Sequence, residues 1–128
     1  MPGEFGRFVD RKRRRPELGG NDVMLKDIAA AMGISASYLS DIMKGRRSLP
    51  DRKGLEVVAG ILRLTDQEKE EMLDIVGRER EEAAPDLPEY LMSEELPHVR
   101  MALRRAKDKR LTDDFWKRVV DQVEREQG

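Results

Sequence analysis

The sequence predicts an all-α fold, with five helices around one core followed by a small C-terminal helical extension, on three observations. Apolar residues recur at helical spacing, as in Phe5, Phe8 and Val9 or in Leu55, Val58, Ala59 and Leu62. Residues that start and stop helices sit where these patterns begin and end. Between Leu25 and Pro50, the stretch LKDIAAAMGISASYLSDIMKGRRSLP reads as two short helices joined by a tight turn.

In chain order, Phe5, Phe8 and Val9 begin a first helix that runs into Arg11-Lys12-Arg13-Arg14-Arg15, and Pro16 ends it. The basic run suits the negative pole of the helix dipole and also reads as an edge that contacts phosphate. Residues 16–24 form a loop with turn signals at Gly19-Gly20 and Asn21-Asp22. A second helix carries Leu25, Ile28 and Met32 on one face, with Asn21, Asp22 or Met24 at its start. Gly33 stops it as a left-handed C′ residue. Ser35 caps a third helix, Ile34 staples onto Leu39, and Lys44-Gly45 closes it. Leu39, Ile42 and Met43 share its inward arc, while Ser37, Ser40, Asp41 and Lys44 share the other, with Ala36 at the edge.

A fourth helix follows Pro50. Thr65 and Glu68 make a capping box for a fifth, which buries Met72, Leu73 and Val76. Its Glu68, Glu70 and Glu71 read as a solvated face. Residues 81–97, with Pro85, Pro88 and Pro97, read as a linker containing one helical turn at Glu89–Met92. Pro97 suits the first position of a sixth helix lined by Val99, Ala102, Leu103 and Ala106. Thr112 caps a last helix with a wide apolar stripe: Phe115, Trp116, Val119, Val120 and Val123. Trp116 reads as core, and His98 as structural.

Composition narrows the function. The 128 residues contain no cysteine, which excludes disulfides and thiolate metal sites and fits a reducing compartment. No signal peptide or spanning segment is visible, so the expected location is the cytoplasm. The net charge of −1 hides a strong polarity. Residues 1–54 hold 12 Lys/Arg against 7 Asp/Glu, residues 55–97 hold 4 against 13, and residues 98–128 hold 9 against 6. A basic head beside an acidic middle suits a reader of nucleic acid whose other surface faces away from phosphate. With no nucleophile–base pair, phosphate-cradling glycine loop or metal-ligand cluster, the sequence predicts no catalysis, metal or cofactor.

The Leu25–Pro50 stretch resembles the helix-turn-helix of the Xre/phage-repressor family of transcription regulators. The likeness is carried by Ala29, Gly33, Ile34 and Ser35, then Ser37-Tyr38-Leu39-Ser40-Asp41-Ile42 and Lys44-Gly45-Arg46-Arg47, without a gap. It extends upstream through Phe5-Gly6-Arg7-Phe8-Val9 and covers residues 4–80, leaving 81–97 as linker and 98–128 as extension. The loop at 16–24 is longer than the family's, and Met24 stands where relatives favour a Ser or Thr cap. Met43 replaces the glutamate that in relatives pairs with an arginine of the first helix, here near Arg13.

The resemblance implies a sequence-specific regulator, a repressor that binds double-stranded DNA as a homodimer. Ala36, Ser37 and Asp41 take the base-reading places, with Tyr38 and Ser40 close by. Ser35, Lys44, Arg46, Arg47, Arg13 and Arg14 would hold phosphates. The alternative is an antitoxin or adaptor whose DNA binding serves autoregulation, while its C-terminal helices dock on a partner protein.

Overall fold

The chain is all-α. The computed structural model describes residues 3–15 and 22–127, and among these it contains eight helices and no strand. None of the helices is long and apolar enough to cross a membrane. The chain divides into two compact units, Met1–Pro88 and Glu89–Gly128.

The first unit holds α1 (Glu4–Arg13), α2 (Leu25–Met32), α3 (Ala36–Met43), α4 (Arg52–Ile61) and α5 (Asp66–Arg80). Their apolar faces meet in one core that includes Phe5, Phe8, Ile28, Leu39, Leu55, Leu62, Met72 and Val76. Ile75 also belongs to it. α1 packs on α3 and α5, and α2 packs on α3 and α4.

The helix boundaries follow from cap chemistry. Gly33 ends α2 at φ 74°, and Gly45 follows α3 at φ 80°, both in the region that favours glycine. The Ser35 hydroxyl accepts from the Tyr38 N–H at 3.0 Å. Asp51 caps α4 by accepting from the Gly54 N–H at 2.9 Å. Thr65 and Glu68 form the capping box of α5, at 3.1 and 2.9 Å. α2 has no such cap, because Met24 stands at its N-cap and no side chain bonds there. Asp22 therefore does not cap this helix, and Pro16, Gly19, Gly20 and Asn21 lie outside the described residues.

α1 begins on borrowed partners. Its N-cap is Gly3, which has no side chain, and the Glu79 carboxylate of α5 accepts from the Phe5 N–H at 2.9 Å instead. The Gly3 N–H donates to the Met43 carbonyl at 3.2 Å, which draws α1 against the end of α3. At the other end of this unit, the chain does not leave the core where α5 stops. The Glu82 N–H donates to the Gly77 carbonyl at 2.9 Å, and Ala84 is buried. A Cβ on Gly77 would lie 2.8 Å from the Ala84 nitrogen, so residues 82–84 lie directly on α5. The first half of the expected linker is part of this unit for that reason.

The single turn α6 (Pro88–Leu91) begins at the last residue of the first unit, and the second unit holds the rest of it with α7 (Pro97–Asp108) and α8 (Asp113–Arg125). Pro97 opens α7, and the Arg100 guanidinium donates to the Leu91 and Ser93 carbonyls at 2.7 and 3.0 Å. Thr112 stands at the N-cap of α8, but its side chain makes no capping bond. Phe115 and Trp116 meet edge to face, with ring centroids 5.0 Å apart. Trp116 is half-buried rather than a core residue. Ala106 is the sole buried residue among those described in this unit, while Val120 and Val123 stay exposed.

Candidate nucleic-acid interface

α3 is seated by Leu39, Ile42 and Met43, all buried. That leaves Ala36, Ser37 and Tyr38 exposed on its outer side, while Asp41 is half-buried. Tyr38 borders an open groove of about 630 Å³, whose other walls include Ile34, Leu49, Pro50, Lys53 and Val57. Ser40 is also half-buried, and it lines a small cleft with Asp10, Leu25, Met43 and Lys44. It thus faces α1 and α2 as much as solvent.

Lys44, Arg46 and Arg47 lie exposed where α3 ends. Arg46 and Arg47 approach the Asp41 carboxylate at 3.7 and 3.8 Å, and the Arg47 guanidinium lies 4.3 Å from the centre of the Tyr38 ring. Ion pairs this long and this exposed contribute little, so the guanidiniums can exchange them for other anions. Tyr38 acts here as a shelf that holds Arg47 against the helix. Arg52 and Lys53, in the first turn of α4, are exposed as well. Sequence reasoning did not single them out, although the Pro50-Asp51 cap placed them beside the same loop. The Ser35 hydroxyl accepts from a backbone N–H, which leaves its proton free to donate to a phosphate.

The basic run of α1 has a different fate. Arg13 is buried, its Nε donates to Asp10 at 2.8 Å, and its Nη1 lies 3.5 Å from the Val23 carbonyl. A buried guanidinium must be satisfied internally. Arg13 therefore closes the loop before α2 and is not offered to phosphate. Met43 is buried too and adds apolar area to the core.

The neighbours of Arg13 turn to α5. Lys12 pairs with Glu68 at 2.9 Å, and Arg11 approaches Glu71 at 3.9 Å. Arg15 binds Glu68 and donates to the Leu62 and Arg63 carbonyls at 2.8 and 2.7 Å, covering the C-terminal end of α4. Glu68 is thus a hub and not part of a solvated face. These hydrogen bonds, first from Arg15, then from the Thr65 N–H and Lys12, lower its pKa from 4.5 to about 2. The run is an internal strap rather than an outward edge, and Arg14 is the exposed member of the predicted phosphate set on this helix.

No group of His, Cys, Asp and Glu among the described residues is arranged to hold a metal ion. Compared with protein-family models, with curated proteins and with solved structures, the chain finds no match.

Proposed function

We propose that this chain is a sequence-specific regulator of the Xre/phage-repressor type, a repressor that reads the major groove of double-stranded DNA with α3. α1–α5 would form the five-helix domain of that family, with α2 and α3 as its helix-turn-helix. One observation carries this reading: α3 buries one side and leaves short side chains uncovered on the other, beside a cluster of exposed cations. Ala36 would meet a thymine methyl, Ser37 either partner of a base pair, and Asp41 a cytosine amino group. Lys44, Arg46, Arg47 and Ser35, joined by Arg52 and Lys53, would hold the flanking phosphates and set the register.

The exposed Val120 and Val123 of α8 support a homodimer through the second unit, since Ala106 alone is buried among its described residues and most of their apolar surface is left to be covered. In the antitoxin or adaptor reading, the same surface would receive a different protein.

Phosphate contacts release counter-ions, which makes affinity depend on salt. Changing Arg46 or Arg47 to alanine is expected to flatten the slope of log K against log[salt] by about one unit each. Binding titrations on one duplex at several salt concentrations measure this. Weaker binding with an unchanged slope in both variants would remove them from the backbone contacts.

A further inference from the structure

α7 carries a charge pattern that recognition by α3 does not use. From His98 to Leu111 the chain holds six Lys/Arg and one carboxylate, Asp108. At the helical repeat, Arg100, Arg104 and Lys107 form one row, and Arg105 and Lys109 form a second. The rows flank the stripe of Val99, Ala102, Leu103 and Ala106. Ala102, Arg105, Ala106 and Lys109 line a cleft shared with Phe115, Trp116 and Val119, so Ala102 and Ala106 are turned to α8, while Arg100, Arg104 and Lys107 lie outside the cleft.

These cations contrast with those of α1. Lys12, Arg13 and Arg15 are tied to carboxylates and carbonyls. Arg104, Arg105, Lys107 and Lys109 are exposed, and none makes an ion pair or side-chain hydrogen bond with another described residue. Like charges one turn apart destabilise a helix. The helix dipole favours Arg105 and Lys107 in the last turn, but not Arg104 and Arg100 further toward the positive pole. Self-repulsion of this kind is relieved by a polyanion.

We propose that the basic rows of α7 form a second, sequence-independent surface for the phosphate backbone of double-stranded DNA. The row from Arg100 to Lys107 spans about 10 Å of helix, a length over which one strand of the duplex presents about three phosphates. A helix lying on a membrane needs its apolar face free beside its cations, whereas Ala102 and Ala106 in the middle of that face share a cleft with Phe115, Trp116 and Val119 of α8. The proposal rests on the DNA reading only in that the chain meets a duplex. With α3 engaged, the tether raises the effective concentration of α7 at the same molecule.

The test uses the full chain with Arg104→Gln, Arg105→Gln and Lys107→Gln combined, titrated with a random-sequence duplex over a range of salt. Glutamine keeps the helix, and Arg100 is left in place because it holds the Leu91 and Ser93 carbonyls. The slope of log K against log[salt] is expected to flatten by about two to three units. Arg104→Lys with Arg105→Lys is expected to keep the original slope, and Arg104→Gln alone to flatten it by about one unit. A slope unchanged in the triple variant overturns the proposal, as does a slope lost equally in the lysine variant. Loss of binding to phosphatidylserine vesicles with DNA binding intact also overturns it. A chain without base preference would defeat the reading of α3 and still leave this slope to be measured.

Discussion

Replacing Gly6 with alanine is expected to destabilise the first unit by about 3 kcal/mol or more, near the upper range for overpacking a closed site. A Cβ at this position would lie 2.2 Å from the Met43 carbonyl oxygen and 3.0 Å from its carbon. The obstacle is backbone, so no side-chain rotation relieves it. α1 would have to withdraw from the end of α3, which breaks the 3.2 Å bond from the Gly3 N–H to the same carbonyl. Against a typical total of about 5–15 kcal/mol, that is a large fraction. Gly60 provides the control: it is exposed in α4, and a Cβ there meets nothing within 4 Å. Gly60→Ala is expected to stabilise by about 0.5–1 kcal/mol through helix propensity alone. Urea midpoints of the two variants should move in opposite directions. Equal shifts would mean that α1 and α3 do not approach this closely.

Glu68→Gln should cost about 1–2 kcal/mol at neutral pH and change the shape of acid unfolding. The Glu68 carboxylate is 18% exposed and takes hydrogen bonds from Arg15, Thr65 and Lys12. A pKa held at about 2 in the folded chain, against 4.5 outside it, stabilises the fold fully above about pH 4.5. That contribution falls away as the pH drops toward 2. Glutamine can still accept from the Thr65 N–H but offers no charge to Lys12 and Arg15. The variant should therefore be less stable than the parent at pH 7, with the gap closing by about pH 2. Stability curves that stay parallel over this range would show that Glu68 is not the hub of the strap.

The contrast between these residues explains what could be read in advance. Gly33, Ser35, Thr65 and Glu68 declare helix ends because cap chemistry acts over three or four residues, a distance a linear sequence displays. The inward faces of α1, α3, α4 and α5 were legible for the same reason, as periodicity is local. The fate of the basic run was not. Arg15 meets Glu68 and the end of α4 only after the chain has folded, and nothing near Arg15 in sequence marks that partner. Gly6 was visible within the α1 pattern, but its need for a bare Cα comes from the Met43 carbonyl, 37 residues away. Ala84 was assigned to a linker because prolines surround it, whereas the open surface of Gly77 gives it a place to pack. Within the candidate interface, the exposure of Ala36 and Ser37 follows from the helix period. The Arg47–Tyr38 stacking and the turn of Ser40 toward α1 depend on tertiary packing.

The central claim is that α3 reads base sequence, and selection of bound duplexes from a random pool tests it most directly, with the parent and Asp41→Ala in parallel. Asp41 lies beside Arg46 and Arg47 at 3.7 and 3.8 Å, cations that would temper its repulsion from phosphate in a groove. The parent is expected to enrich a defined motif, repeated as two half-sites about 34 Å apart if two copies bind together. Asp41→Ala is expected to relax the preference at a single base pair, losing about 1–3 kcal/mol of discrimination there. Salt-sensitive binding that enriches no motif, or an Asp41→Ala variant that binds every sequence more tightly by the same factor, would contradict the claim.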